Sequence, residues 1–322
     1  MRSWVLAVVA ALLLPAAAAA ATPRVVGGKA VPEGGYPAIA NVKLAGSFAC
    51  TGTLVAPDWV LTAGHCGSLT SEIIATPIAF PPFLVNVTLG TVHTDGSGGT
   101  TRGVSEIRIP TGHLALGTDT GYDVSLLHLS SPAPQKPILV AGRGEESLWA
   151  VGKMETIAGF GTTSESGSIP PVMQEASVPI VADSACAQTY PSTFEAATQI
   201  CAGYPKGGID TCNGDSGGPM LATAADGTPR IVATTSYGNG CARPNAYGVY
   251  ARAADATLRD WIRSNVAGAV APDYVAPPPP VAKTAPKKPA KKTSKKTTKK
   301  HAEKSAKKPK HKKKPKHHAR NA

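Results

Sequence analysis

The chain has no CxxC pair, no repeat at a fixed period and, after its first 21 residues, no apolar run long enough to cross a bilayer. These absences argue against a cysteine-built metal cluster, a repeat architecture and a multi-span membrane protein. Acidic residues are also scarce, 21 against 33 Lys and Arg, and the imbalance sits at one end. From Ala276 to Ala322 there are 17 Lys and Arg320 against Glu303 alone, a net of +17, so the rest of the +12 chain carries −5. The basic isoelectric point describes the tail, and the body is mildly acidic. No aromatic residue interleaves the tail lysines, which argues against base stacking and sequence readout. With almost nothing apolar to bury, residues 272–322 are expected to be disordered, starting with an extended Pro277–Pro280 segment.

The N-terminus opens with Arg2, then the apolar run Trp4–Leu14, then Pro15 and an alanine tract ending at Ala21. A positive start, a short apolar core and small residues at the end form a secretory signal peptide over residues 1–21; Pro15 and the small residues disfavour a retained anchor. Six cysteines (Cys50, Cys66, Cys186, Cys201, Cys212, Cys241) suit the oxidising compartment that export implies. Composition alone leaves 15 pairings open.

From Val25 to about Tyr250, short β-type runs alternate with Gly, Pro, Asn and Asp. Leu54–Val55, Trp59–Leu61, Val85–Leu89, Val124–Leu129, Thr156–Ala158, Val178–Val181 and Ile231–Thr234 are examples, and they argue an all-β sandwich or barrel architecture. One helix is expected near the end, where Leu258, Trp261, Ile262 and Val266 share a face behind Asp255 as N-cap.

Three segments carry chemistry: Leu61-Thr62-Ala63-Gly64-His65-Cys66, Tyr122-Asp123-Val124-Ser125-Leu126 and Gly214-Asp215-Ser216-Gly217-Gly218-Pro219. A serine between glycines sits on a tight turn where backbone N–H groups can converge, but its hydroxyl needs a base, and the base an orienting group. Singly, His65 reads as a core histidine beside a cysteine and Asp123 as a turn acid. Together, in the chain order His65, Asp123, Ser216, they do not, because unrelated hydrolases place the same three residues in other orders.

This combination resembles the chymotrypsin/trypsin family over about residues 25–266. The resemblance implies two packed antiparallel six-stranded β-barrels with a C-terminal α-helix, and a protease domain over residues 25–271. It implies His65 as general base, Asp123 as its orienting acid, Ser216 as nucleophile, and the amides of Gly214 and Ser216 as the oxyanion hole. It selects the pairs Cys50–Cys66, Cys186–Cys201 and Cys212–Cys241. It places Asp210, six residues before the nucleophile, at the base of a pocket walled by Ser236, Tyr237, Gly238 and Gly248, which favours Arg or Lys at the cut site. Arg24-Val25-Val26-Gly27-Gly28 resembles the family's activation junction: residues 22–24 would be a short propeptide, and the freed Val25 amine would pair with Asp215.

The implied partners are protein or peptide substrates and proteinaceous inhibitors, with a monomeric chain, no cofactor and no metal; residues 67–95 do not match the family's calcium loop. Gly64 departs from the alanine usual in the animal enzymes, Phe160 and Tyr237 from tryptophans. The tail either tethers the chain to polyanions (nucleic acid, sulfated glycan or an acidic envelope) or is a solvated extension. The competing class is a non-catalytic polyanion-binding protein on a protease fold, which would commonly have lost a member of the triad.

Overall fold

The computed structural model describes residues 25–69, 77–116 and 121–275. The expected signal peptide, Arg24 and the tail from residue 276 lie outside the described residues.

Six strands form the first barrel: β1 (Ile39–Leu44), β2 (Ser47–Ala56), β3 (Trp59–Thr62), β4 (Val85–Leu89), β5 (Thr100–Arg108) and β6 (Ser125–Leu129). They close in the order β1-β2-β3-β6-β5-β4. Six more form the second: β7 (Met154–Gly159), β8 (Gln174–Pro179), β9 (Gln199–Ala202), β10 (Pro219–Thr223), β11 (Pro229–Tyr237) and β12 (Gly248–Ala251). Their path runs β8-β7-β10-β11-β12-β9. The two ends meet just beyond β8, through an Ile180–Ala202 bridge and the bonds Val181 N–H to Cys201 O and Gly203 N–H to Pro179 O, both 3.0 Å. The expected Val178–Val181 run therefore straddles a boundary. The ladder with β7 ends at Pro179; Ile180 still bonds Lys153 and Gly152, just before β7, while Pro179 O and Val181 N–H reach across to β9 and the residue after it. Each barrel follows the same strand connectivity, a structural repeat with no counterpart in the sequence.

Short strands at Lys29–Ala30 and Leu139–Val140 add to β8 and, in parallel, to β11. The helices are α1 (Gly64–Gly67), α2 (Thr111–Leu116), α3 (Asp183–Thr189) and α4 (Ala256–Asn265). The last is the helix expected from periodicity. Asp255 Oδ1 accepts from Ala256 N–H at 2.7 Å, and Leu258 and Ile262 are buried. Tyr274 N–H donates to Arg143 O and Asp273 pairs with Arg263, so the chain keeps to the barrel surface through residues 273–274.

The core runs through both barrels. In β2 every residue from Cys50 to Ala56 is buried, because one face fills the barrel and the other is covered. All three implied disulfides form, Cys50–Cys66, Cys186–Cys201 and Cys212–Cys241, spanning 16, 15 and 29 residues. Each closes a loop in the unfolded chain, stabilising the fold by about 3 kcal/mol on the chain-entropy account.

Candidate active site

The site lies where the loop between β9 and β10 meets the first barrel. Thr51 of β2 holds that loop twice: its N–H donates to Ser216 O at 2.9 Å and its hydroxyl to Gly214 O at 2.9 Å. Gly214 has φ +95°, and a Cβ there would lie 2.6 Å from the Phe48 ring, so this turn requires glycine. Ser216 is thereby fixed against the segment that carries His65, its carbonyl 3.8 Å from Cys66 Sγ.

His65 opens α1 directly after β3, and Asp123 lies just before β6, the strand paired with β3. That pairing brings the two together. Asp123 Oδ1 accepts from the His65 backbone N–H at 2.8 Å, and His65 Nδ1 lies 2.9 Å from Oδ2 and 3.1 Å from Oδ1. Ser236 of β11 donates its hydroxyl to Oδ2 at 2.5 Å. Ser236 lines the cavity beside Ser216 and also donates to the Asp123 carboxylate.

Burial opposes charge on Asp123, but the His65 charge and the hydrogen bonds from His65 and Ser236 outweigh it and hold the carboxyl below its ordinary range. Burial likewise pushes the His65 imidazole down, yet the adjacent Asp123 carboxylate outweighs it and raises it above 6.5. An ionised Asp123 facing Nδ1 places the ring proton there and leaves the Nε2 lone pair free to accept one. His65 exposes 31 % of its side chain, so that outer edge is reachable.

Beside Ser216 opens a cavity of about 490 Å³, lined among others by Asp210, Ser236, Tyr237, Gly238 and Gly248. Asp210 accepts from Thr211 N–H at 2.8 Å and Ala242 N–H at 3.0 Å, but burial dominates and pushes its carboxyl up to about 6. A Cβ on Gly248 would fall 2.6 Å from Asp210 Oδ1; glycine there leaves the carboxylate open to the cavity. Glu165 also lines the cavity, but Arg243 already pairs with it. Asp210 therefore supplies the unneutralised negative charge of the lining.

Asp215 is fully buried beneath the loop. Its carboxylate accepts from Gly161 N–H at 2.8 Å and Cys212 N–H at 2.9 Å, yet burial pushes it up to about 7. Val25 is buried, and Val26 forms a bridge with Asp210. Cys50, Cys66 and His65 cluster as metal ligands would, but both sulfurs are committed to a disulfide.

Two polar residues escaped the sequence reading. His113 of α2 and Ser68 lie buried behind Asp123, with Ser68 Oγ 3.1 Å from His113 Nε2. The signal that could have found them was the glycine at position 64, whose missing Cβ makes room for the His113 ring.

The comparisons with known proteins agree with this geometry. The family profile described as Trypsin matches residues 25–262. A trypsin from Saccharopolyspora erythraea is 35% identical over 229 residues, which cover 71% of this chain and 92% of that protein. Human serine protease 56 is 33% identical over 254 residues, covering 76% of this chain and 39% of the human protein. A rat transmembrane protease serine 9 is 32% identical over 254 residues, 76% of this chain and 22% of that protein. The chain thus spans nearly all of the bacterial relative and well under half of the two mammalian ones. Among the described residues no helix is long and apolar enough to cross a membrane. On the profile match and the bacterial trypsin together, the chain belongs to the trypsin family.

Proposed function

We propose that this chain is a secreted serine endopeptidase that cuts after Arg or Lys. The observation that carries the reading is the convergence of an oriented imidazole, a held serine loop and a cavity with one unneutralised carboxylate at its base. The Ser216 hydroxyl attacks the scissile carbonyl while His65 Nε2 takes its proton. The oxyanion formed is held by the Gly214 and Ser216 amides, and His65 then protonates the leaving amine. Water repeats the sequence on the acyl-enzyme and returns free Ser216. The non-catalytic alternative is disfavoured because His65, Asp123 and Ser216 are all present.

The test is a cleavage-site profile of the protein beginning at Val25, with active-site titration. Cuts after Arg and Lys with a stoichiometric acylation burst are expected; an absent burst removes the enzymatic reading. Asp210→Ser is expected to lower kcat/KM on Arg and Lys substrates about a hundredfold, roughly 2.7 kcal/mol, because the cavity is open and water screens part of the pair. An unchanged preference in that variant excludes Asp210 as the specificity residue.

Activation by cleavage after Arg24 has a local basis. Val25 holds φ at +39°, a conformation strained for a β-branched residue, and cutting the preceding bond abolishes that torsion. The freed amine would carry a cation to the buried Asp215. Because Arg24 fits the proposed specificity, the precursor is expected to activate itself; a Ser216→Ala precursor should then stay uncut when purified away from other proteases.

The +17 tail supports tethering to polyanions after export through the signal peptide. Duplex DNA should bind the full chain with a steep salt dependence, falling by about 0.9 log units per log salt for each phosphate neutralised, and should not bind a chain ending at Val275.

A further inference from the structure

His113 and Ser68 take no part in the chemistry above, yet they form a second polar layer behind Asp123. His113 is 1 % exposed. Its Nδ1 has no hydrogen-bond partner and lies 3.7 Å from Asp123 Oδ1. The ring occupies the space left by Gly64, the residue before His65: a Cβ on Gly64 would fall 2.8 Å from His113 Nδ1. With alanine at position 64 the imidazole must move, so Gly64 and His113 act as one device. The charged or titratable groups facing the ring are Asp123, before β6, and His65, on α1. Ser68, which follows α1, is polar and uncharged.

Elementary electrostatics sets the state of this ring. Burial pushes the His113 imidazole below its ordinary range; the Asp123 carboxylate pulls the other way, and His65, sharing that carboxylate, pushes down again. The ring is therefore neutral and carries one N–H. A lone pair on Nδ1 would be repelled by the ionised Oδ1, whereas an N–H is attracted to it. The Nε2 lone pair then accepts the Ser68 hydroxyl at 3.1 Å.

We propose that His113 is a positioning residue of the triad: Asp123 sets its tautomer, Ser68 anchors its far edge, Gly64 seats it, and its Nδ1–H faces Asp123 Oδ1 and holds that carboxylate in register with His65. The inference rests on the protease reading given above. Its consequence is twofold. The carboxylate loses freedom to rotate, and part of its charge is spent on His113, which keeps the His65 imidazole from becoming still more basic.

The test uses the protein beginning at Val25 with 15N-labelled histidine, read by NMR and by steady-state kinetics. In the wild type, His113 is expected to carry its proton on Nδ1. His113→Leu should raise the His65 titration midpoint by about half a pH unit. It should also lower kcat about tenfold by loosening the carboxylate, with KM changed by less than about twofold. His113→Asn, whose amide nitrogen can stand where Nδ1 stood, should restore most of both. Ser68→Ala should leave the His113 proton on Nδ1 but loosen the ring and give a smaller loss of kcat, and together with His113→Asn it carries the test if the leucine variant does not fold. A proton on Nε2 in the wild type overturns the proposal, as does a folded leucine variant with unchanged kcat and His65 midpoint. If the wild type shows no acylation burst while His113→Leu still moves the His65 midpoint, the protease reading fails and the positioning role stands.

Discussion

Asp123→Asn is expected to lower kcat about ten-thousandfold while leaving KM nearly unchanged. The reason is the count of donors around one carboxylate. Its oxygens take the His65 backbone N–H, the His65 ring and the Ser236 hydroxyl, at distances from 2.5 to 3.1 Å. An asparagine has one acceptor oxygen and an NH2 group that can only donate. With that oxygen taken by the His65 backbone N–H, the NH2 faces His65 Nδ1, which must then offer its lone pair and move its proton to Nε2. The base is thereby turned away from Ser216, although the fold and the specificity cavity, which Asp123 does not line, stay as they were. The pH profile supplies an independent check. In the wild type the raised His65 imidazole must lose its proton before it can act, so kcat/KM should fall as pH drops through a midpoint above 6.5. In Asp123→Asn the carboxylate that raises His65 is gone, and that limb should move to lower pH. Steady-state kinetics from pH 5 to 9 decides it; a loss smaller than about tenfold would mean Asp123 does not orient the base.

The site was more legible in the sequence than the fold around it. The chemistry proposed for the site demands particular residue types on particular turns, so His65, Asp123 and Ser216 stand out through short motifs and their order. The strands do not. In β2 the run from Cys50 to Ala56 is buried on both faces, so the period-2 alternation that marks a half-exposed strand disappears, and only Leu54–Val55 stood out. In β5, Thr-Thr-Arg-Gly-Val-Ser-Glu-Ile-Arg buries only Val104, and its polar surface reads as a loop. Closure of the second barrel depends on a single bridge, Ile180–Ala202, which no local pattern encodes. His113 was invisible for a related reason. A lone histidine between Gly112 and Leu114 has no motif, and its meaning lies in a contact with Gly64 that only packing creates. Ser236 stood in the expected pocket wall, but its side-chain direction, toward Asp123 Oδ2, follows from the placement of β11 rather than from its neighbours in sequence.

Asp215→Asn is expected to have opposite effects before and after cleavage at Arg24. In the uncut chain Asp215 is buried, and among the described residues no cation faces it; burial is offset only by two backbone N–H groups. A carboxyl moved from its ordinary 3.8 to about 7 destabilises the folded precursor at pH 8 by about 4 kcal/mol relative to the protonated form. The folded state holds its proton more tightly than the unfolded state. This contribution is therefore fully present below pH 3.8 and is lost as pH rises towards 7. Asparagine removes the charge but leaves one of the Gly161 and Cys212 N–H groups without an acceptor, at roughly 1–3 kcal/mol. The net expectation is a precursor more stable by roughly 2 kcal/mol at pH 8 and no more stable near pH 4. On the proposed activation the balance reverses after cleavage, because the Val25 amine would need a carboxylate and would find an amide. Breaking such a buried pair costs about 3–5 kcal/mol, so the cleaved variant should lose about a thousandfold in kcat/KM as the loop of Gly214 and Ser216 relaxes. Denaturant unfolding at pH 4 and 8 on a Ser216→Ala background, beside kinetics of the cleaved Asp215→Asn protein, measures both arms. A precursor whose stability does not respond to pH in this window would show that Asp215 is already paired before cleavage, and the switch would have to lie elsewhere than in this buried charge.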